Sequence, residues 1–181
     1  MAHYCKPIPM KRIFTFGIIA LGLIMAHATH AVANESEKIK AHMVENYLLW
    51  QVAFKNADAD RIISFESTDF TRVLENGTVA DKATADAATR LWTSRIRKVY
   101  DARVYIKKIT ILPSKVVIWA VKELDADMNS GTDPDKPQIQ HIRFAGTSRD
   151  TWVKYDGEWV LKRVENLTFK ADIDGTPATG N

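Results

Sequence analysis

Two long runs that meet at Tyr155-Asp156-Gly157-Glu158 constrain this chain more than any other stretch. From Ile139 to Phe169, β-branched and aromatic residues dominate on both sides of an Asp-Gly pair. Asp-Gly supplies the positive φ of a primed two-residue turn at little steric cost, so the pattern predicts a hairpin. Trp152 and Trp159 fall close to the turn, placed to pair across the two strands. A hairpin with that much aromatic area needs a helix or further strands over one face. The remainder of the chain reads as that cover.

The first 33 residues stand outside the fold in this reading. Lys11 and Arg12 precede an apolar run from Ile13 to Ala26, and Ala31-Val32-Ala33 follows as a small-x-small site, the layout of a secretory signal peptide. The run is short for a membrane span, which needs roughly 20 residues, so a retained anchor is the lesser alternative. Met10 begins a more conventional signal than Met1 does. The expected domains are therefore a signal peptide at 1–33, one folded domain at 34–171 and a flexible polar tail at 172–181. The product is expected in the periplasm or outside a bacterial cell, with no membrane partner once the signal is removed.

Removal of that segment decides the charge argument. It carries Lys6, Lys11 and Arg12 and no acid, so Lys+Arg falls from 25 to 22, equal to the 22 Asp+Glu. A neutral chain lacks the basic excess that a nucleic-acid partner needs, and none is expected. The single cysteine, Cys5, leaves too, as do His3, His27 and His30. Only His42 and His141 remain, with no pair at zinc-ligand spacing, and neither metal nor cofactor is expected. The 148 residues left suit one domain with its own core.

Along the mature chain, Ile39, Met43, Tyr47, Trp50 and Phe54 recur at steps of three and four, predicting a first helix over Glu35–Lys55 with Ser36 as N-cap. A short second helix follows in Arg61–Glu66, capped by Asp58 or Asp60. Phe70–Leu74 and Thr78–Ala80, joined by Glu75-Asn76-Gly77, read as a small hairpin. Lys82–Tyr100 reads as a third helix with Ala88, Leu91, Trp92, Arg95, Ile96 and Val99 on one side. Arg103–Leu112 and Lys115–Leu124 are β-branched runs around the turn Pro113-Ser114. Alternation slips at Lys107-Lys108, and a bulge there would restore one buried face. Asp125–Lys136 has loop composition.

Helices first and long antiparallel strands after them argue an α+β fold with helices packed on one sheet face. At Arg149–Lys154 followed by Asp156-Gly157-Glu158-Trp159-Val160-Leu161, with a first helix ending in Phe54-Lys55-Asn56-Ala57-Asp58, the chain resembles the nuclear transport factor 2-like superfamily. It looks most like the bacterial branch of polyketide-cyclase-like and ketosteroid-isomerase-like members. The likeness covers roughly residues 37 to 170. It implies a cone-shaped fold whose strongly curved antiparallel sheet encloses one mostly apolar pocket, often in a homodimer. Ketosteroid isomerases use an Asp base with a Tyr and a protonated Asp as oxyanion donors. Matching Ala57-Asp58 to the family's Gly-Asp puts Trp50 at the tyrosine position and the base near Leu74-Glu75, so the isomerase activity does not transfer residue for residue.

Two functional readings follow. In the first, an exported domain without catalysis takes a small apolar or amphipathic molecule into a pocket lined by Tyr47, Trp50, Trp92, Tyr105, Trp119 and Trp152. In the second, a lyase, isomerase or cyclase acts on a carbonyl compound, with His141 or Glu75 as base and Arg143 or Tyr47 as electrophilic donor. His141, Arg143 and Arg149 share one face of a strand, while Asp150 and Trp152 share the other. Alternation does not say which of these faces is inside.

Overall fold

The computed structural model describes residues 14–131 and 137–178, with side chains from 34 onward. The expected export signal lies largely outside the described residues; of 14–33 only the helical backbone is described. Among the described residues, no helix is long and apolar enough to cross a membrane. The chain divides into two compact units. The first runs through Ala41 and is helical where described, with Lys40 paired to Glu37 at 2.7 Å. The second, from His42 on, holds all that follows.

Helix α1 is Phe14–Lys55, so Ser36 lies inside it and does not cap it. No Gly or Pro interrupts Ala26–Lys55, and nothing in that stretch stops a helix. The predicted stripe is buried: Met43, Tyr47 and Phe54 are core residues and Trp50 is half-buried. Asp58 caps α2 (Ala59–Ile63) by accepting from the Arg61 amide at 2.9 Å. Strand β1 (Glu66–Val73) turns through Asn76-Gly77, with Gly77 at φ 82°, into β2 (Val79–Ala80). Helix α3 is Lys82–Arg95, shorter than its pattern suggested. From Ile96 the β-branched residues extend instead into β3 (Ile96–Leu112), and α3 buries Ala85, Thr89 and Thr93 while Leu91 is exposed. Pairing with β4 (Lys115–Asn129) outweighs the helix propensity of Ile96–Tyr100.

The predicted bulge is present. Register shifts between Ile106 and Lys108, so Val104, Ile106, Ile109 and Ile111 all sit opposite β4 residues of one face: Lys122, Ala120, Ile118 and Val116. Further shifts at Arg97 and Tyr100 in β3 and at Lys162 and Leu167 in β6 add bends to the sheet. The segment Asp125–Asn129, whose composition reads as loop, continues β4 between β3 and β5. Two neighbouring strands satisfy its backbone, which composition alone cannot reveal.

The Asp-Gly hairpin forms as expected, with Asp156 at φ 49° and Gly157 at φ 88° joining β5 (Ile139–Tyr155) to β6 (Glu158–Ile173). Trp152 and Trp159 do not pair directly: Trp152 faces Leu161, and Trp159 faces Lys154, whose ammonium lies 5.5 Å from its ring. Beyond Ile173 a second primed turn, Asp174-Gly175, brings β7 (Thr176–Pro177) back onto β6. The first residues of the expected tail are thus hydrogen-bonded: the Asp174 amide donates to the His141 carbonyl and Asp174 Oδ1 accepts from the His141 amide, both at 2.9 Å. The sheet order is β2-β1-β6-β5-β4-β3, with β1 parallel to β6 and the other pairs antiparallel. It is a curved, unclosed sheet with helices over its concave face.

Candidate functional site: a cavity between the helices and the concave sheet face

Register decides which residues of β4 and β5 face the helices. Val116, Ile118, Ala120, Lys122, Leu124 and Ala126 sit opposite Trp152, Asp150, Ser148, Gly146, Phe144 and Ile142. The core is on this side: Trp152, Asp150 and Ser148 are each no more than 2 % exposed, and Tyr47 and Phe54 of α1 pack against it. His141, Arg143 and Arg149 therefore occupy the outer face.

The concave side holds a cavity of 280 Å³. One wall is aromatic. Trp50 stacks on Phe54 at 4.8 Å between centroids, Phe54 on Trp92 at 4.9 Å, and Phe144 meets both Phe54 and Trp92 edge-on at 6.0 and 6.1 Å. Four rings on α1, α3 and β5 thus form one packed aromatic cluster that makes this part of the cavity lining apolar. The rest of the lining mixes apolar residues such as Leu161 and Val164 with polar ones: Lys122, Ser148 and Asn166 on the sheet, and Glu66, Arg72 and Thr89 on β1 and α3. Gly146, opposite Lys122, leaves room there, and a Cβ on it would meet the Thr168 carbonyl at 3.0 Å.

Behind the polar part of the lining runs a buried network. The Tyr47 hydroxyl donates to Asp150 Oδ2 at 2.6 Å, Trp152 Nε1–H donates to the Tyr47 oxygen at 3.4 Å, and Lys122 Nζ lies 3.1 Å from the same carboxylate. Burial, then the Asp150 charge, pushes the Tyr47 phenol well above its ordinary range, so it stays a donor. Lys122 also lies 4.9 Å from the Trp50 ring. Toward β1, the buried Glu66 carboxylate takes Lys82 at 3.0 Å and Arg72 at 3.4 Å. Desolvation pushes the Glu66 carboxyl up despite both cations.

Of the six aromatics expected to line a pocket, Trp50 and Trp92 do so. Tyr47 and Trp152 are buried behind it in the network just described. Tyr105 and Trp119 belong to the outer face, where they sit opposite Val121 and Arg149. Of the four residues named for the catalytic reading, none lines the cavity: Tyr47 lies behind it, and Glu75, His141 and Arg143 lie away from it. Glu75 is exposed in the β1–β2 turn. His141 lies between two carboxylates, with Nε2 3.1 Å from Asp125 and Nδ1 3.0 Å from Asp127, and Arg143 Nε donates to Asp125 at 3.1 Å. Hydrogen bonds from His141 and Tyr100 hold the Asp127 carboxyl below its usual range. Arg149 pairs with Glu165. The outer face carries an open groove of 410 Å³ beside Asp125, Arg143 and Asp172, where Arg143 already has Asp125 as its partner. Among the described residues no group of His, Cys, Asp and Glu could hold a metal.

Lys122, Ser148, Asp150 and Glu66 escaped the sequence reading. One signal could have found Ser148 and Asp150. The even positions of β5 carry Ile142, Phe144 and Trp152, more apolar bulk than the odd ones, and that marks the even face as inside.

No family model matches the sequence, and no curated protein does. Solved structures do match. A nuclear transport factor 2-like protein from Cytophaga hutchinsonii superposes at TM-score 0.51 and 16% identity, over 71% of this chain and 97% of that one. A nuclear transport factor 2-like protein of unknown function from Shewanella oneidensis gives 0.51 and 14%, over 70% and 97%. A scytalone dehydratase candidate from Novosphingobium aromaticivorans gives 0.56 and 15%, over 78% and 89%. The chain has the nuclear transport factor 2-like fold. At these identities the likeness concerns the backbone alone, and such a fold hosts both enzymes and domains without chemistry.

Proposed function

We propose that this protein is an exported binding domain that takes a small amphipathic molecule into the concave-face cavity without transforming it. The observation that carries this reading is a 280 Å³ cavity lined both by the aromatic cluster of Trp50, Phe54, Trp92 and Phe144 and by polar groups such as Lys122 and Ser148. Cavities of this composition are where proteins take small ligands. The position of His141 and Arg143 on the outer face supports binding over catalysis. A ligand screen by thermal shift tests it. Hits should raise the melting temperature of the wild type and of His141→Ala equally, while Trp92→Ala should lose most of the shift. A histidine-dependent shift would return the outer face to consideration.

A lyase, isomerase or cyclase reading has one observation in its favour: Glu66 is a buried carboxyl on the cavity wall with its pKa pushed up, the state a general acid or base needs. Against it, Lys82 and Arg72 already hold both of its oxygens.

Export rests on the sequence layout of residues 1–33. Intact-mass measurement of the exported protein should place its N-terminus at Asn34 or within a few residues. Uncleaved protein in the membrane fraction would remove this part of the reading. A homodimer through the outer sheet face is the expected assembly, since Tyr105, Val117, Trp119 and Val121 leave apolar surface there. Sedimentation at micromolar concentration should give twice the monomer mass, and a monomer would retire the dimer while leaving the cavity untouched.

A further inference from the structure

The polar groups of the cavity are unevenly satisfied. Lys122 is matched by Asp150, and Arg72 and Lys82 by Glu66, so each of these charges already has a partner of opposite sign. Ser148 differs. It is 2 % exposed, it lines the cavity, and its Oγ has no hydrogen-bond partner among the described residues. Buried hydroxyls are paired in nearly all folded proteins, and one left open on a cavity wall is a donor held ready for a ligand. On the sheet, Ser148 sits two residues along β5 from Gly146, the register partner of Lys122, and opposite Asn166 of β6. Lys122 has three donor hydrogens, and Asp150 does not use all of them.

We infer that Ser148 and Lys122 form a subsite for an uncharged oxygen, a carbonyl or phenol, carried by a compact aromatic molecule of one or two rings whose ring lies against Trp50, Phe54, Trp92 and Phe144. This rests on the binding reading above and adds the ligand class. A carbonyl accepts from the Ser148 hydroxyl and from Lys122 at no cost in charge. A carboxylate at the same place brings a second anion beside Asp150, whose charge already neutralises Lys122. The ring count follows from volume: 280 Å³ lies just below the roughly 300 Å³ at which the range for small-molecule pockets begins.

The test uses the purified full-length protein and three naphthalene probes of similar shape: 2-acetylnaphthalene, 2-ethylnaphthalene and 2-naphthoate. Quenching of fluorescence from Trp50 and Trp92 reports binding. The ketone should bind more than about fivefold more tightly than the hydrocarbon, since Ser148 adds one neutral hydrogen bond's worth and Lys122 a second donor, and 2-naphthoate about tenfold more weakly than the ketone or worse. Ser148→Ala should weaken the ketone about fivefold, one neutral hydrogen bond's worth, and leave the hydrocarbon unchanged, with thermal melts showing that the variant is folded. Equal affinities for ketone and carboxylate, or a ketone affinity unchanged by Ser148→Ala, overturns the subsite while the cavity keeps its binding role. Failure of all three probes to bind overturns the binding reading and the subsite together.

Discussion

Asp150→Ala will cost the folded protein about 3–5 kcal/mol, because it removes one member of a buried charge pair and strands the other. Asp150 is 1 % exposed and answers two donors at once, Tyr47 at 2.6 Å and Lys122 at 3.1 Å. Without it the phenol loses its acceptor. The ammonium, on a side chain only 16% exposed, keeps its charge with no counter-ion beyond the face of Trp50. Urea unfolding should show a lower midpoint with an unchanged slope, the sign of lost stability in an otherwise equivalent fold. The double variant Asp150→Ala/Lys122→Met should recover much of the loss, since an apolar replacement for a buried ion pair is often close to neutral. A single-variant loss under about 1 kcal/mol would mean that Lys122 reaches solvent, and the polar part of the lining would then be open rather than enclosed.

Trp152→Ala should cost a similar amount, about 3–5 kcal/mol, for a different reason. Trp152 is the largest fully buried side chain on the sheet, packed at 5.9 Å from the Tyr47 ring and donating its indole N–H to that residue's oxygen. Its removal leaves a void that neighbouring strands cannot close, because β4 and β6 hold β5 from both sides. Trp152→Phe should recover part of the loss by refilling volume without restoring the donor. Ligand affinity separates the two tryptophan roles. Trp92, half-exposed on the cavity wall, should affect binding more than stability; Trp152, behind the wall, should affect stability more than binding. Calorimetry on Trp152→Ala showing lost affinity at full stability would place it in the site after all.

Much of the architecture was legible because local physics writes it locally. Asp156-Gly157 and Asn76-Gly77 demanded turns, Asp58 offered a cap, and the slip at Lys107-Lys108 required a bulge to keep Ile106 and Ile109 on one side. The misread segments were those where pairing partners outweighed local preference. Ile96–Tyr100 has a helical pattern and Asp125–Asn129 a loop composition, yet both became strand because β3 and β4 hydrogen-bond each other along that length.

The site was legible only in part, and the reason is specific. The sequence by itself determined that His141, Arg143 and Arg149 share one face of β5 and that Asp150 and Trp152 share the other, because side chains alternate along a strand. The apolar bulk of Ile142, Phe144 and Trp152 favours the second face, but only the tertiary structure decided what encloses it. That choice depends on where α1 lies, and α1 puts Tyr47 against Asp150 and Trp152, some hundred positions away in sequence. Alternation is a local property, while enclosure is a long-range one. Lys122 and Ser148 thus became cavity groups, Asp150 their buried neighbour, and His141 a residue of the outer face, through long-range contacts.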